Sequence, residues 1–232
     1  MTVSEMHYAV DQGLQKVGSY VYDTFLPEEI DFFLNKMQER FVKDRVFKAS
    51  DPKRLGFSFN QKRLDDIKTL IEVDIREQFN VTVSANVDKK AYGLPPDTGS
   101  NAYMFLLGIQ ARIRRMHCDI SDVVEVPIRI VEQDKVHEMR RNPFMTSTMN
   151  SPLGVLVGPE VIVYQNPKKF ILKGVIIDYI RKPSKINLSS SNDCELLEHT
   201  HHEIVDMTVK HILEIIESPR YQTNAAEESQ SD

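Results

Sequence analysis

The spacing of apolar residues predicts that the chain begins with three helices. The first carries Met6, Val10, Leu14 and Val17 on one face, with Ser4 as its expected N-cap and an end near Gly18. The second is expected to start at Leu26-Pro27-Glu28-Glu29, because proline and acidic residues favour a first turn. Its apolar residues are Ile30, Phe33, Leu34, Met37 and Phe41. The third is predicted over residues 61–79, with the stripe Leu64, Ile67, Ile71 and Ile75.

From Asn80 onward the pattern changes to short alternating runs and turn signals, which are typical of strands. Val81-Thr82-Val83 alternates, and residues 94–100 are expected to form a loop. Residues 103–116 are expected to form a long strand or a bent pair of strands, with a bulge at Gly108. Residues 123–131 alternate with Val124, Val126, Ile128 and Ile130 facing one way, and Pro127 indicates an edge position. A short helix over residues 132–141 and a loop over residues 145–151 complete this middle part.

Residues 153–220 are predicted to form a compact element around which the rest of the chain folds. Two runs rich in β-branched and aromatic residues, 161–164 and 170–180, flank the turn sequence Asn166-Pro167-Lys168, which predicts a hairpin packed against a last amphipathic helix. The expected fold class is therefore α+β, with N-terminal helices and a C-terminal helix packed with a mostly antiparallel β-sheet or β-sandwich. Residues 1–79 and 195–220 would form the helical part, residues 80–194 the β-rich part, and residues 221–232 a disordered tail.

Composition narrows the classes of function. The chain has 232 residues, a formal net charge of -5 and a pI near 5.8, so it has no overall basic character that would indicate nucleic-acid binding. The start MTVSEMHYAV lacks the features of a signal peptide, and no apolar segment approaches the ~20 residues needed to span a bilayer. Cys118 and Cys194 are too few for a disulfide scaffold and too isolated for a zinc site. Synthesis in a reducing cytoplasm is expected.

A histidine-rich segment is the first candidate for chemistry. On a helix His199 and His202 are three residues apart and His199 and Glu203 four apart, so their side chains could converge on a metal. The spacing differs from the His-Glu-x-x-His pattern of zinc hydrolases, and no third ligand is evident. Thr200 and Glu203 also fit a capping box, and His201 falls on an apolar stripe. Capping and packing are favoured over a metal, and no cofactor is predicted.

Arg112, Arg114 and Arg115 are the second candidate. On a strand Arg112 and Arg114 share a face and Arg115 takes the other, so they could meet phosphate groups. The aromatic interleaving of single-strand-binding proteins is missing, which favours a solvated face or salt bridges between subunits over DNA contact. Glycine-rich phosphate loops, nucleophile elbows and kinase signatures are absent from the sequence. The residues alone therefore predict a non-catalytic α+β protein.

Two blocks of the sequence resemble a virion protein of crAss-like, short-tailed bacteriophages, found in the head–tail connector and tail ring region. The first comprises Glu5-Met6-His7-Tyr8, Leu26-Pro27-Glu28-Glu29-Ile30-Asp31, Leu34-Asn35 and Gln38-x-x-Phe41-Val42. The second comprises Arg141-Asn142-Pro143-Phe144, Ser151-Pro152, Asp178-Tyr179-Ile180-Arg181-Lys182-Pro183, Cys194-Glu195-Leu196, His202-Glu203-Ile204-Val205 and Glu217-Ser218-Pro219-Arg220. None of these sequence segments is a catalytic motif. Residues 48–135 show the least resemblance to the phage protein.

The resemblance implies a ring homo-oligomer of many copies, twelve-fold like the portal below which it would dock. Its partners would be itself, the portal and other tail ring proteins, with transient contact with genomic DNA and none with a membrane. An acidic chain suits a channel through which DNA slides, because a strongly basic lumen would hold phosphates. A neck or tail-completion protein that does not touch the portal is the runner-up. A metal-dependent phage enzyme using His199 and His202 is the remote alternative.

Overall fold

The computed structural model describes residues 1–15, 25–47, 64–77, 88–99, 101–115 and 123–215. The chain divides into two compact units, one of residues 1–70 with 183–232 and one of residues 71–182. We call them the helical unit and the β unit. The division falls at residues 70 and 182, whereas the sequence pattern predicted it at residues 79 and 194.

The helices of the described residues are α1 (Val3–Gln15), α2 (Pro27–Phe47), α3 (Val136–Arg141) and α4 (Glu198–Ile215). The strands are β1 (Ile71–Arg76), β2 (Lys89–Gly93), β3 (Tyr103–Arg115), β4 (Val123–Pro127), β5 (Arg129–Ile130), β6 (Leu153–Val157), β7 (Glu160–Tyr164) and β8 (Phe170–Arg181). They form two mostly antiparallel sheets, so the predicted α+β class is confirmed.

In the helical unit α1, α2 and α4 pack against one another. The predicted apolar faces of α1 and α2 are buried at Met6, Val10, Ile30, Leu34, Met37 and Phe41. The α1 and α4 backbones approach so closely that a Cβ on Gly13 would lie 2.7 Å from Cγ2 of Val209. Glycine at position 13 therefore allows this contact.

The start of α1 differs from the prediction. Thr2, not Ser4, is the N-cap, because Glu5 N donates to Thr2 Oγ1 at 3.3 Å and Thr2 N donates to Glu5 Oε2 at 2.8 Å. This reciprocal pair is a capping box. At the start of α2, Leu26 N donates in the same way to Glu29 Oε2 at 2.9 Å.

The predicted third helix is wrong from Ile71 onward within the described residues. Residues 64–67 are helical and continue into a 3-10 turn at Lys68–Leu70, but the chain then becomes strand β1. Ile71, Val73 and Ile75 alternate, and β-branched residues at this spacing suit a strand. Ile71 and Ile75 fit both a helical and a strand spacing. All six residues of β1 pair with β8, which selects the strand.

The first sheet has the strand order β1-β8-β3-β4 and the second the order β2-β7-β6-β5. Strand β3 contains the predicted bulge, because its register with β8 shifts between Leu106 and Gly108. Strand β4 lies at the edge of the first sheet, as Pro127 indicated. Ile128 N donates to Ile109 O at 2.9 Å, so the nitrogen of Pro127 points outward and proline costs this edge no ladder bond.

The predicted hairpin is also wrong. Strand β7 belongs to the second sheet and β8 to the first, so the turn at residues 165–169 carries the chain from one sheet to the other. The actual hairpin joins β6 and β7 through Gly158 and Pro159, and Gly158 has a φ of 57°. That value lies in the left-handed region, where glycine is preferred. The last helix, α4, was predicted to pack against this hairpin. It belongs to the helical unit.

The β unit has three layers. Facing sides of the two sheets bury a core that includes Tyr92, Val161, Val163, Ile177 and Tyr179. The other face of the second sheet, with Leu153 and Val155, packs against Val136 and Met139 of α3. The predicted sandwich is therefore present, with α3 as an added layer.

Some predictions lie outside the described residues. They are the end of the first helix near Gly18, the strand Val81-Thr82-Val83, and the tail at residues 221–232.

Candidate functional site

The histidine-rich segment lies at the start of α4 and joins an ionic network rather than a ligand cage. His199 Nε2 lies 2.7 Å from Asp66 Oδ1, and Arg45 Nε donates to Asp66 Oδ2 at 2.8 Å. Arg45 Nη2 also donates to Glu203 Oε2 at 2.6 Å. The Asp66 side chain is 2% exposed while that of His199 is 56% exposed. Asp66 is thus a buried acceptor that joins α2 to the start of α4.

This arrangement engages two of the three candidate metal ligands, His199 and Glu203, with other partners. Both oxygens of Asp66 and one oxygen of Glu203 are engaged, and His202 is exposed. Within the described ranges no group of three or more histidine, cysteine or acidic side chains could hold a metal ion. The network supports the joining of helices.

The predicted capping box at Thr200 and Glu203 is wrong. The helix begins two residues earlier, at Glu198, and Thr200 Oγ1 donates to Leu197 O at 2.7 Å. Glu203 binds Arg45 instead of reaching back to a backbone N–H. His201 is buried on the apolar stripe with Ile204, Val205, Thr208 and Ile212, so its predicted packing role is confirmed.

Sequence reasoning missed one buried histidine pair. His7 Nε2 lies 2.8 Å from Asp31 Oδ1, with both side chains about nine-tenths buried. Leu188 N donates to both oxygens of Asp31, at 3.3 and 3.1 Å. The pair joins α1, α2 and the segment before α4. Its signal in the sequence is the presence of a polar, ionisable residue on the apolar side of each helix.

The three predicted arginines have different environments on β3. Arg112 Nη1 lies 2.6 Å from Glu77 Oε1, and Arg112 Nε lies 3.8 Å from Glu125 Oε1 on the neighbouring strand. Arg114 and Arg115 are exposed, and they lie on opposite faces as predicted. The arginines therefore form no combined basic surface, and Arg112 is neutralised within the subunit.

Gly174 makes the Glu77–Arg112 pair possible. A Cβ at Gly174 would lie 2.7 Å from Arg76 O and 3.3 Å from Glu77 Cα, so the chain leaving β1 crosses directly over this residue. Arg112 is the partner of Gly174 on the next strand. The crossing chain thereby brings the Glu77 carboxylate to the guanidinium.

The turn after α3 presents an apolar side chain to solvent. Phe144 is 93% exposed and Met145 is 47% exposed. Phe144 N donates to Asn142 Oδ1 at 3.0 Å, and Met145 N and Thr146 N donate to Asn142 O at 3.1 and 3.0 Å. Arg129 Nη2 also donates to Met145 O. We call residues 142–146 the Phe144 turn; its backbone is held by several hydrogen bonds although its aromatic ring contacts little.

A small polar cavity lies beside this turn, with a volume of about 210 Å³. Arg140 lies over the Tyr164 ring at 4.8 Å and its Nη2 is 3.9 Å from Asp88 Oδ2. Ser147 Oγ donates to Tyr164 O at 2.6 Å and accepts from Leu153 N at 3.2 Å. Arg140, Asp88 and Ser147 thus each have a partner within the described part of the chain.

The remaining thiol candidate is Cys194, which is 7% exposed in the helical unit. Burial is the main reason that its pKa rises to about 11. Gln38 Nε2 lies 3.8 Å from its Sγ. A thiol with such a pKa is a poor nucleophile at neutral pH.

Comparison with models of protein families and with curated proteins finds no match for this chain. None of the helices in the described ranges is both long and apolar enough to cross a bilayer.

Proposed function

We propose that this chain is a structural virion protein that forms a ring of identical subunits in the head–tail connector of a crAss-like, short-tailed bacteriophage. In this role the ring docks below the portal, contacts other tail ring proteins, and forms part of the conduit that retains and ejects the genome. The resemblance of residues 5–42 and 141–220 supports the family. The surface of the molecule supports assembly.

The observation that carries the proposal is the number of large apolar side chains exposed on both units. In the helical unit Tyr8, Leu26 and Phe32 are 66%, 63% and 63% exposed. In the β unit Val73 and Ile75 are 60% and 55% exposed. Together with Phe144, these residues place exposed apolar side chains on α1, at the start of α2, on β1 and on the turn after α3. Exposed apolar surface beyond scattered single residues is a mark of protein–protein contact sites.

Separate surfaces suit a ring better than a two-fold dimer. A dimer of two-fold symmetry uses one self-complementary patch, whereas a ring needs two different patches that meet head to tail. Permanent contacts of this kind bury on the order of 2,000 Å² or more. Several apolar surfaces on one chain supply different patches.

The charge distribution is compatible with a conduit for DNA. The chain has a net charge of -5, and Arg112, one of the three candidate arginines for DNA contact, is paired with Glu77. A lumen without a combined basic surface does not retain phosphates, and DNA can slide through it.

Light scattering coupled to size-exclusion chromatography tests the proposal on the purified chain. We expect one species whose mass is a whole-number multiple of 26.8 kDa and which appears as a ring in electron micrographs. A chain that stays monomeric at every concentration, and that binds neither portal nor tail proteins, contradicts the proposal.

A further inference from the structure

We infer that the Phe144 turn of one subunit docks on the start of α2 in the next copy of the chain, a contact that rests on the proposed ring. The first observation is that the turn exposes a large apolar ring to water. A phenylalanine with 93% of its surface in water gains nothing from burial in the free chain. Its backbone is nevertheless held by Asn142 and Arg129. A side chain presented on a fixed backbone loses little entropy on binding, which favours a contact site.

The turn is basic as well as apolar. Arg141 immediately precedes it, is exposed, and has no ionic partner among the described residues. Arg140, its neighbour, is engaged by Asp88 and the Tyr164 ring. Arginine and aromatic residues are enriched in the cores of protein interfaces. The surface that receives the turn should therefore be apolar and carry unpaired acidic groups.

The start of α2 has these properties. Phe32 is 63% exposed, and Glu28 and Glu29 lie four and three residues before it, on the same side of the helix. Both glutamates are exposed, and no ion pair involves either of them in the part of the chain that the structure describes. Glu29 accepts a hydrogen bond from Leu26 N, which is an uncharged donor. We call Glu28, Glu29 and Phe32 the α2 surface.

The outer face of β1 is the competing receptor. Val73 and Ile75 are exposed there, but the acidic residues of β1 itself and of its end already have ion-pair partners within the subunit. Asp74 pairs with Arg76 at 2.7 Å and Glu77 with Arg112 at 2.6 Å, while Glu72 lies 3.3 Å from Arg181. Charge complementarity with Arg141 therefore favours the α2 surface.

The contact is heterologous, because the Phe144 turn and the α2 surface are different parts of the chain. Phe144→Ser and Phe32→Ser, which remove the ring from one surface each, should both weaken self-association about 100-fold, the size of a strong interface residue. Leu64→Ser, which removes an apolar side chain that is 51% exposed and belongs to neither surface, is the matched control and should assemble like the parent. Circular dichroism should be unchanged in all three, since each side chain is exposed.

Mixing the two phenylalanine variants gives the sharpest test. Each keeps one intact surface, so a Phe32→Ser copy can dock its turn on a Phe144→Ser copy, and no further contact forms. Light scattering should show 1:1 pairs of twice the chain mass, whereas each variant alone stays monomeric. Rings or longer assemblies in the mixture overturn the inference, as does a Phe144→Ser variant that assembles normally.

Charge exchange tests the ionic part of the contact. Arg141→Glu and Glu28→Arg should each weaken assembly, and the chain carrying both should recover it, because the two charges exchange places across the interface. Failure of the double variant to recover overturns the inference. A parent chain that is always monomeric contradicts the proposed function as well. A parent that assembles while Phe144→Ser loses only binding to another virion protein overturns this contact and leaves the ring intact.

Discussion

Gly174→Ala should destabilise the β unit because the chain leaving β1 crosses directly over this residue. The added Cβ would lie 2.7 Å from Arg76 O and 3.5 Å from Arg76 C. Ordinary contacts begin near 3.4 Å, so backbone atoms would have to move by about 0.7 Å. Overpacking of this kind typically costs about 1–3 kcal/mol. The upper half of that range is expected, because the obstructing atoms are backbone rather than the end of a flexible side chain.

Urea unfolding followed by circular dichroism measures this cost. The matched control is Gly93→Ala on β2, where a Cβ would meet no atom within 4 Å. That change should be neutral or stabilise by up to about 1 kcal/mol, because glycine in a strand has excess conformational freedom to lose. Equal unfolding free energies for Gly174→Ala and the parent would refute the crossing geometry. A loss in Gly93→Ala as large as that in Gly174→Ala would show that any strand glycine matters equally.

Two further stability predictions follow from the helical unit. Asp66→Ala should lower the free energy of unfolding by about 2–4 kcal/mol, because Arg45 loses its buried acceptor, whereas Glu203→Gln should cost under about 1 kcal/mol, because that carboxylate is half exposed. Urea titration of both variants checks this, and equal losses would contradict it. Burial raises the pKa of Cys194 from 9.0 to about 11, so the folded state keeps the thiol proton longer than the unfolded state does. Its contribution to stability is complete below pH 9 and is lost as pH rises toward 11, so Cys194→Ala should show a smaller decrease in stability over this range than the parent. Parallel decreases in the two proteins would contradict that assignment.

The sequence pattern predicted helices and strands correctly where the apolar residues had a single spacing, either helical or strand-like. The helices of residues 27–47 and 198–215 each have a single apolar face, and the structure buries that face. The long strand β3, its bulge at Gly108 and the edge position of Pro127 follow from equally local signals. Backbone geometry at a proline or a bulge is decided by a few neighbouring residues, so the sequence carries it directly.

Predictions failed where distant residues decide the outcome. Ile71 and Ile75 fit both a helical and a strand period, and only pairing with β8, about a hundred residues later, selects the strand. The turn at Asn166 and Pro167 is compatible with a hairpin, yet β7 has β2 and β6 as its neighbours and cannot also pair with β8. Turn chemistry fixes a change of direction and does not determine which sheet receives the next strand.

In the candidate sites, too, features set by neighbouring residues were predictable and features set by distant residues were not. The two faces of Arg112 and Arg115 follow from strand alternation, but the pairing of Arg112 with Glu77 depends on a chain crossing at Gly174. The contact between Asp66 and His199 joins residues 133 positions apart, which no spacing rule anticipates. The exposure of Phe144 likewise depends on packing around α3, so its sequence context predicts a turn but no contact surface.

A density map of the virion neck tests the central claim most directly. The account predicts a ring of identical subunits adjoining the portal, into whose repeated density the helical unit and the β unit can each be fitted. Neck density that is fully explained by other proteins, with no copy of this chain in it, would contradict the account.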